Sequence, residues 1–326
     1  SFLSYLMCNK MPRLGRIVLS PMLNENGKLI GDFTIAKTSE RRFLIWGSTN
    51  AQKYHMRWFE MHIQKFNDVK IDCFGSNLVG LSIAGPKARA VLEQLCDEDV
   101  SNKAFRFLDY QEMNVSGAPC MVNRISFTGD LGYEIWMAPS YQRTVYHGIK
   151  SSGKQFEIVD FGVRALSSMR LEKNFPTWSS ELRPIYSPQE AGMEQFVNLD
   201  KSEFIGKDAA TLEFTNGSSL KRVTLKLENG TSEVVSDEPI WAKVADEEFG
   251  SVEKPHGYGA SRFLQDGSSL TRSNSQRDGD WKVVGWVTSG GYGHYVKASL
   301  AQGYLPSTLV ERHNDELFEV EVLGKR

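Results

Sequence analysis

One carboxylate in this sequence stands where a charge is costly. Glu134 sits inside the apolar run Tyr133-Glu-Ile-Trp-Met137, and an ionised side chain among apolar neighbours needs a specific partner. A flat ligand edge with two adjacent N–H donors would satisfy both carboxylate oxygens; a solvent-facing residue on an edge strand is the plainer alternative. The stretch Arg124-Ile-Ser-Phe-Thr-Gly-Asp-Leu-Gly-Tyr-Glu-Ile135 is expected to fold as two strands reversing around Gly129 and Gly132. A second acid, Asp32, falls in a strand-like run on the face of Ile30 and Thr34, opposite Phe33 and Ile35. Taken alone, it reads as a solvated acid near a strand end. Arg170 and Glu172 share a helical run but, two residues apart, not a face. Tyr110, Phe127, Tyr133 and Trp178 offer aromatic faces on which a flat heterocycle could stack. Most aromatics at such positions are core; Trp178 stands apart because it lies in a long proline-containing connection.

The elements that must position these groups follow from pattern. Residues 1–7 have the spacing of a helix already under way, without a cap or a signal-peptide flank, which leads us to expect that the sequence starts inside a longer polypeptide. Strands are expected over 16–23, 28–36 and 43–47, with a turn at Asn24-Glu-Asn-Gly27. Helices are expected over 51–66, from Pro86 to about Cys96, over 140–150 and over 163–172, and a strand over 79–83. Residues 174–191 carry three prolines and read as a long connection. From about Lys221, short strand-like runs at 222–227, 283–287 and 317–322 alternate with Gly and Ser, the pattern of a separate all-β module. The polar stretch 251–277 reads as a surface excursion. The glycines of Ser289-Gly-Gly-Tyr-Gly-His294 imply a close backbone approach, with a tight turn as the simplest structure for that segment.

Composition narrows the function classes. With 326 residues, 40% hydrophobic and 24% charged, the chain is long enough for two or three ordinary globular domains. A formal net charge of -2 implies no general affinity for nucleic acid or anionic membrane. The four cysteines, Cys8, Cys73, Cys96 and Cys120, form no CxxC pair and have no histidines at ligand spacing. They read as buried small hydrophobes in a reducing compartment rather than as disulfides or a zinc site. Neither a dinucleotide fingerprint, nor a phosphate loop, nor a nucleophile elbow is present.

Five motifs, in order, cover nearly the whole chain: Met22-Leu-Asn-Glu-Asn-Gly-Lys-Leu-Ile-Gly-Asp32, Thr128-Gly-Asp-Leu-Gly-Tyr-Glu134, Ser168-Met-Arg-Leu-Glu172, Phe204-Ile-Gly-Lys-Asp-Ala209 and Val287-Thr-Ser-Gly-Gly291. Together they resemble the folate-binding aminomethyltransferase family founded on the glycine cleavage T-protein. Glu172-Lys-Asn-Phe-Pro-Thr-Trp178 and Gly290-Gly-Tyr-Gly-His294 look more like the C-terminal folate half of dimethylglycine and sarcosine dehydrogenases.

The resemblance implies an α+β, three-lobed fold, with two lobes from residues 1–216 and a C-terminal β-barrel from residues 217–326. It implies tetrahydrofolate as the bound cofactor, Glu134 as the anchor of its pterin, and Asp32 as the catalytic acid near folate N5 and N10. A fixed carboxylate there can orient a weakly basic amine and take its proton as an electrophilic one-carbon unit is captured. Arg170 matches the motif arginine, which either bonds a folate carbonyl or pairs structurally with an acid. Trp178, Tyr110 and Phe127 are the stacking candidates. The loop departs from the family pattern at Ser179, where glycine is usual, and at Glu181, where aspartate is usual. The implied partners are an aminomethyl or N-methyl donor and either an FAD oxidase half or a lipoyl carrier protein. The implied location is cytoplasmic, or the mitochondrial matrix in a eukaryote. A folate-dependent methyltransferase using a sulfonium or ether donor, and a non-catalytic folate-binding regulator, are the alternatives.

Overall fold

A computed structural model describes residues 1–228, 233–244, 281–311 and 318–323. The surface excursion expected over 251–277 lies outside the described residues. The chain separates into two compact units. One comprises residues 1–4, 9–20 and 33–173; the other comprises 5–8, 21–32 and 174–326. The short helix α1 (Phe2–Leu6) is divided between them. No helix among the described residues is long and apolar enough to cross a membrane.

The first unit is built on a four-stranded antiparallel sheet. Its strands are β4 (Val79–Ala84), β5 (Tyr110–Val115), β6 (Ala118–Asn123) and β7 (Gly132–Met137), in the order β4-β7-β6-β5. The period-two alternation of these sequences sends one set of side chains to a core face. Ile83, Met113, Val115, Cys120, Val122, Tyr133, Ile135 and Met137 are all buried there. Helices α3 (Ala88–Leu92) and α4 (Gln142–Gly153) cover that face with Val91, Leu92, Val145 and Ile149. Each such buried side chain contributes about 1.5–3 kcal/mol of transfer free energy. Two further helices belong to the unit. In α2 (Gln52–Ile63), His55, Phe59 and His62 recur at helical spacing on the buried side. Helix α5 (Val163–Glu172) has the bounds that the sequence pattern predicts and buries Arg170 and Leu171.

The strands β1 (Ile17–Leu23), β2 (Leu29–Lys37) and β3 (Phe43–Trp46) form a sheet in that order, and the division between units falls within β1 and β2. The turn expected at 24–27 is present: Asn24 Oδ1 accepts the N–H groups of Asn26 and Lys28 at 3.0 and 2.9 Å. Gly27 there adopts φ +73°, a left-handed geometry that suits glycine.

In the second unit, α6 (Lys207–Asn216) precedes a five-stranded sheet of order β12-β9-β10-β11-β8. Its strands are β8 (Leu220–Lys226), β9 (Pro239–Lys243), β10 (Trp281–Gly293), β11 (Ala298–Pro306) and β12 (Phe318–Val320). Residues 174–191 form no strand or α-helix, as expected. They are nonetheless packed: Leu182, Tyr186 and Ala191 join Leu23, Leu29, Phe204, Trp286 and Tyr304 in one core cluster. The Tyr186 and Tyr304 rings stack at 3.8 Å, and Trp286 Nε1 donates to the Tyr186 hydroxyl at 2.9 Å.

Several expectations are corrected. Residues 124–131 are not a strand but the connection between β6 and β7. Ser126 Oγ and Thr128 Oγ1 lie 2.7 Å apart, and each hydroxyl accepts a nearby backbone N–H. Those local bonds compete with a strand ladder. The regular part of α3 ends at Leu92, not near Cys96, and Gln94 and Leu95 donate to carbonyls only three residues back. Glu93, Asp97, Glu98 and Asp99 crowd that end, where the helix dipole disfavours negative charge. Ser289–Gly293 is strand, not turn; the reversal lies at 294–297. The glycines there do mark a close approach, since a Cβ on Gly290 would collide with Val234. The C-terminal region is not wholly β, because α7 (Ser307–Glu311) follows β11. Cys8 and Cys120 are buried, but Cys96 is only partly so and Cys73 is exposed in an irregular segment.

Candidate functional site

Glu134 lies on the face of the four-stranded sheet opposite the core. The strand register sets it between Ser82 of β4 and Asn123 of β6. Tyr133 and Ile135, its neighbours along the strand, go to the core. Burial pushes the Glu134 carboxyl above its ordinary pKa, while the Asn123 and Trp136 side chains favour the charged form. Asn123 is 0% exposed. Its amide oxygen finds no hydrogen-bond partner among the described residues, while its amide nitrogen and the Trp136 indole N–H are the groups that favour the Glu134 carboxylate. Buried polar atoms left this way are rare and call for a partner. A carboxylate, an amide and an indole N–H side by side fit the polar edge of a flat heterocycle.

Trp136 lies flat over β4 because Gly80 makes room: a Cβ there would sit 2.8 Å from two ring carbons. Trp46 stands 6.0 Å from Trp136 and 6.4 Å from Tyr110, centroid to centroid. Tyr110 is buried with Ile17, Ala36 and Leu44, and its hydroxyl donates to Glu112 at 2.8 Å. Its ring therefore belongs to a small apolar cluster on this same face, across from Asn123. A cavity of about 460 Å³, lined in part by Arg42, Glu98, Glu112, Met121 and Trp136, opens in the same unit; Glu134 is not in its wall.

The connection 124–131 borders this face. Ser126 packs against Gly132, where a Cβ would fall 2.6 Å from the serine Cβ. Phe127 is 37% exposed, so part of its ring is open. Gly129 adopts φ +74°, and the Lys173 side chain, just past the end of α5, lies over it. Arg170, on the last turn of α5, is 4% exposed. Gly129→Ala is therefore expected to destabilise the protein by about 1–2 kcal/mol, the usual cost of a side chain in left-handed backbone. A urea midpoint measures this, and an unchanged midpoint would contradict the left-handed geometry.

Asp32 and Trp178 belong to the second unit. Along β2, Asp32 and Thr34 are partly buried while Phe33 and Ile35 are fully buried, the alternation predicted for them. Burial pushes the Asp32 carboxyl up to about 6, opposed by a bond from its own backbone N–H. That brings the group into the range useful to a general base near neutral pH. Trp178 is half-buried and packs against the core cluster of Tyr186 and Trp286. Three residues on, Glu181 is 0% exposed and fully hydrogen-bonded.

Glu134, Arg170, Phe127 and Tyr110 thus fall in one unit, Asp32 and Trp178 in the other. Sequence reasoning missed Asn123 and Trp136 as neighbours of Glu134. The available signal was alternation across 118–123, which would have put Asn123 on Glu134's face had that strand been paired with 132–137.

Comparison with known proteins agrees with this architecture. A model of the GCVT N-terminal domain matches residues 1–201, and one of the Glycine cleavage T-protein C-terminal barrel domain matches residues 221–326. Mouse mitochondrial dimethylglycine dehydrogenase is 33% identical over 325 residues, 99% of this chain and 33% of that protein. The chain thus spans about a third of the length of the dimethylglycine dehydrogenases it matches. An aminomethyltransferase of Thermoanaerobacter sp. (strain X514) is 32% identical over 235 residues, 71% of this chain and 63% of that one. In fold, the chain resembles glycine cleavage system aminomethyltransferase T from Bartonella henselae, with a TM-score of 0.76 and 22% identity over 99% of this chain and 77% of that one. Since one matched model accounts for the α+β part and the other for the barrel, the chain belongs to the glycine cleavage T-protein family.

Proposed function

We propose that this chain binds tetrahydrofolate and catalyses transfer of a one-carbon unit to it, giving 5,10-methylenetetrahydrofolate. The observation that carries the reading is the buried Glu134 carboxylate, set beside Asn123 and Trp136 on the sheet face opposite the core. When bound, the folate supplies the nucleophilic amines of the reaction. Glu134 accepts two N–H groups of the pterin edge, a charge-assisted pair that fixes the ring's orientation. Asn123 and the Trp136 indole N–H complete the polar edge. Arg170 bonds a folate carbonyl or holds the 124–131 connection, while Phe127 and Trp178 give ring contacts. Tyr110, across from Asn123 on the same face, acts by supporting Trp46. Asp32 holds and removes a proton at the reacting amine, and its raised pKa supports that role.

In this reading residues 1–216 form the folate-binding region and 217–326 the barrel domain. The one-carbon donor is an aminomethyl or N-methyl compound. Oxidation of an N-methyl donor, with FAD, falls to an oxidase segment or subunit; similarity to dimethylglycine dehydrogenases supports that arrangement over a lipoyl carrier. The compartment is a reducing one, cytoplasmic or mitochondrial. Calorimetric titration with tetrahydrofolate is expected to show one site per chain, and an aminomethyl donor is then expected to yield 5,10-methylenetetrahydrofolate. Absence of binding would overturn the reading.

A further inference from the structure

The connection 174–191 is held at three points by the sheet of its own unit. At its start, Asn174 adopts φ +56°. Its Oδ1 accepts from Arg222 Nη1 at 2.6 Å and Thr224 Oγ1 at 2.8 Å, and its carbonyl accepts from the same Arg222 nitrogen at 3.1 Å. At its end, Arg222 Nε donates to the Ala191 carbonyl at 2.8 Å, and the Arg222 backbone N–H donates to the Glu190 carbonyl at 2.8 Å. One side chain on β8 therefore ties both ends of the connection together.

The middle is held through Glu181. One carboxylate oxygen accepts from Thr288 Oγ1 at 2.8 Å and Ser289 Oγ at 2.6 Å, both on β10. The other accepts the Thr177 N–H and hydroxyl at 2.8 and 3.1 Å. The Tyr304 hydroxyl donates to the Glu181 carbonyl at 2.7 Å. Trp178 lies between the anchors, four residues after Asn174 and three before Glu181. A connection this long and without regular structure would otherwise lose considerable entropy on ordering around a ligand. The clamp meets that cost during folding.

We infer that Arg222 and Glu181 are positioning residues that preorganise the Trp178 loop for ligand binding, which makes the barrel sheet part of the binding machinery. The inference rests on the proposed contact of Trp178 with folate. Arg222 suits the task because its fork reaches two carbonyls and an amide oxygen at once; lysine keeps the charge but loses the fork.

The test compares Arg222→Lys, Ser289→Ala and Trp178→Ala by amide hydrogen exchange, tetrahydrofolate titration and steady-state kinetics. Arg222→Lys is expected to speed exchange across 174–191 while the remaining barrel strands keep theirs. Folate affinity should fall about tenfold, with KM raised in proportion and kcat within about twofold. Ser289→Ala, a milder change that keeps the fold, is expected to move the same observables in the same direction by about threefold. If the loop loosens in both variants and folate affinity is unchanged while Trp178→Ala weakens it, the clamp has no role in binding and the inference fails. If Trp178→Ala itself leaves affinity unchanged, the folate role of Trp178 fails and the inference with it.

Discussion

Replacing Asp32 with asparagine is expected to cut turnover about a hundredfold to a thousandfold while changing tetrahydrofolate affinity by less than about threefold. Asparagine keeps the shape and can still orient an amine, but it cannot take a proton. In the wild type, burial lifts the carboxyl to about 6, so kcat should rise with pH through that value and level off above it. The same burial predicts the opposite effect on stability. A carboxyl whose pKa is raised on folding binds its proton more tightly in the folded state. Its stabilising contribution is full below the unfolded value of about 4 and is lost as pH rises through about 6. Asp32→Asn, uncharged throughout, should therefore be more stable than wild type at pH 8 by about 2 kcal/mol, discounted because Asp32 is only partly buried. At pH 4 the difference should vanish. Denaturant melts at the two pH values test this, and a variant less stable at pH 8 would show that the ionised group has a compensating partner.

Glu134→Gln is expected to weaken tetrahydrofolate binding by about 1.5–3 kcal/mol, the usual loss when a charged hydrogen-bond partner is removed. That corresponds to about 10- to 150-fold in affinity. Glutamine offers one acceptor where carboxylate offers two, and its amide nitrogen would meet a ligand N–H head-on. Because burial raises the Glu134 pKa, binding by the wild type should also weaken as mildly acidic pH protonates the carboxylate. The Glu134→Gln variant would lack that part of the pH dependence. Titrations across pH separate this from global unfolding, and equal affinities for the two proteins at neutral pH would remove Glu134 from the site.

Much of the fold was legible in the sequence because it rests on local chemistry. The turn at 24–27 follows from an asparagine that bonds its own backbone and a glycine with positive φ. Helix α5 follows from composition and spacing alone. What escaped was decided by tertiary context. The apolar pattern of 124–127 suggests a strand, but Ser126 and Thr128 close local bonds and the lysine side chain lying over Gly129 comes from beyond α5. The glycines of β10 read as turn residues because the close approach of Val234 is invisible in the sequence. The acids Asp32 and Glu134 were identifiable as candidates, one by alternation and the other by its apolar neighbours, but their roles came only with the family resemblance. Asn123 was not identifiable, because its importance depends on a cross-strand register with Glu134. The clamp on 174–191 was likewise hidden, since Arg222 and Ser289 are far from it in sequence.

The most direct test is a crystal structure of the protein with tetrahydrofolate bound. Both Glu134 carboxylate oxygens should lie within hydrogen-bonding distance of pterin N–H groups, with the Asn123 amide engaged by the same ring. Folate bound elsewhere, with no contact to the Glu134 or Asn123 side chains, would contradict the account.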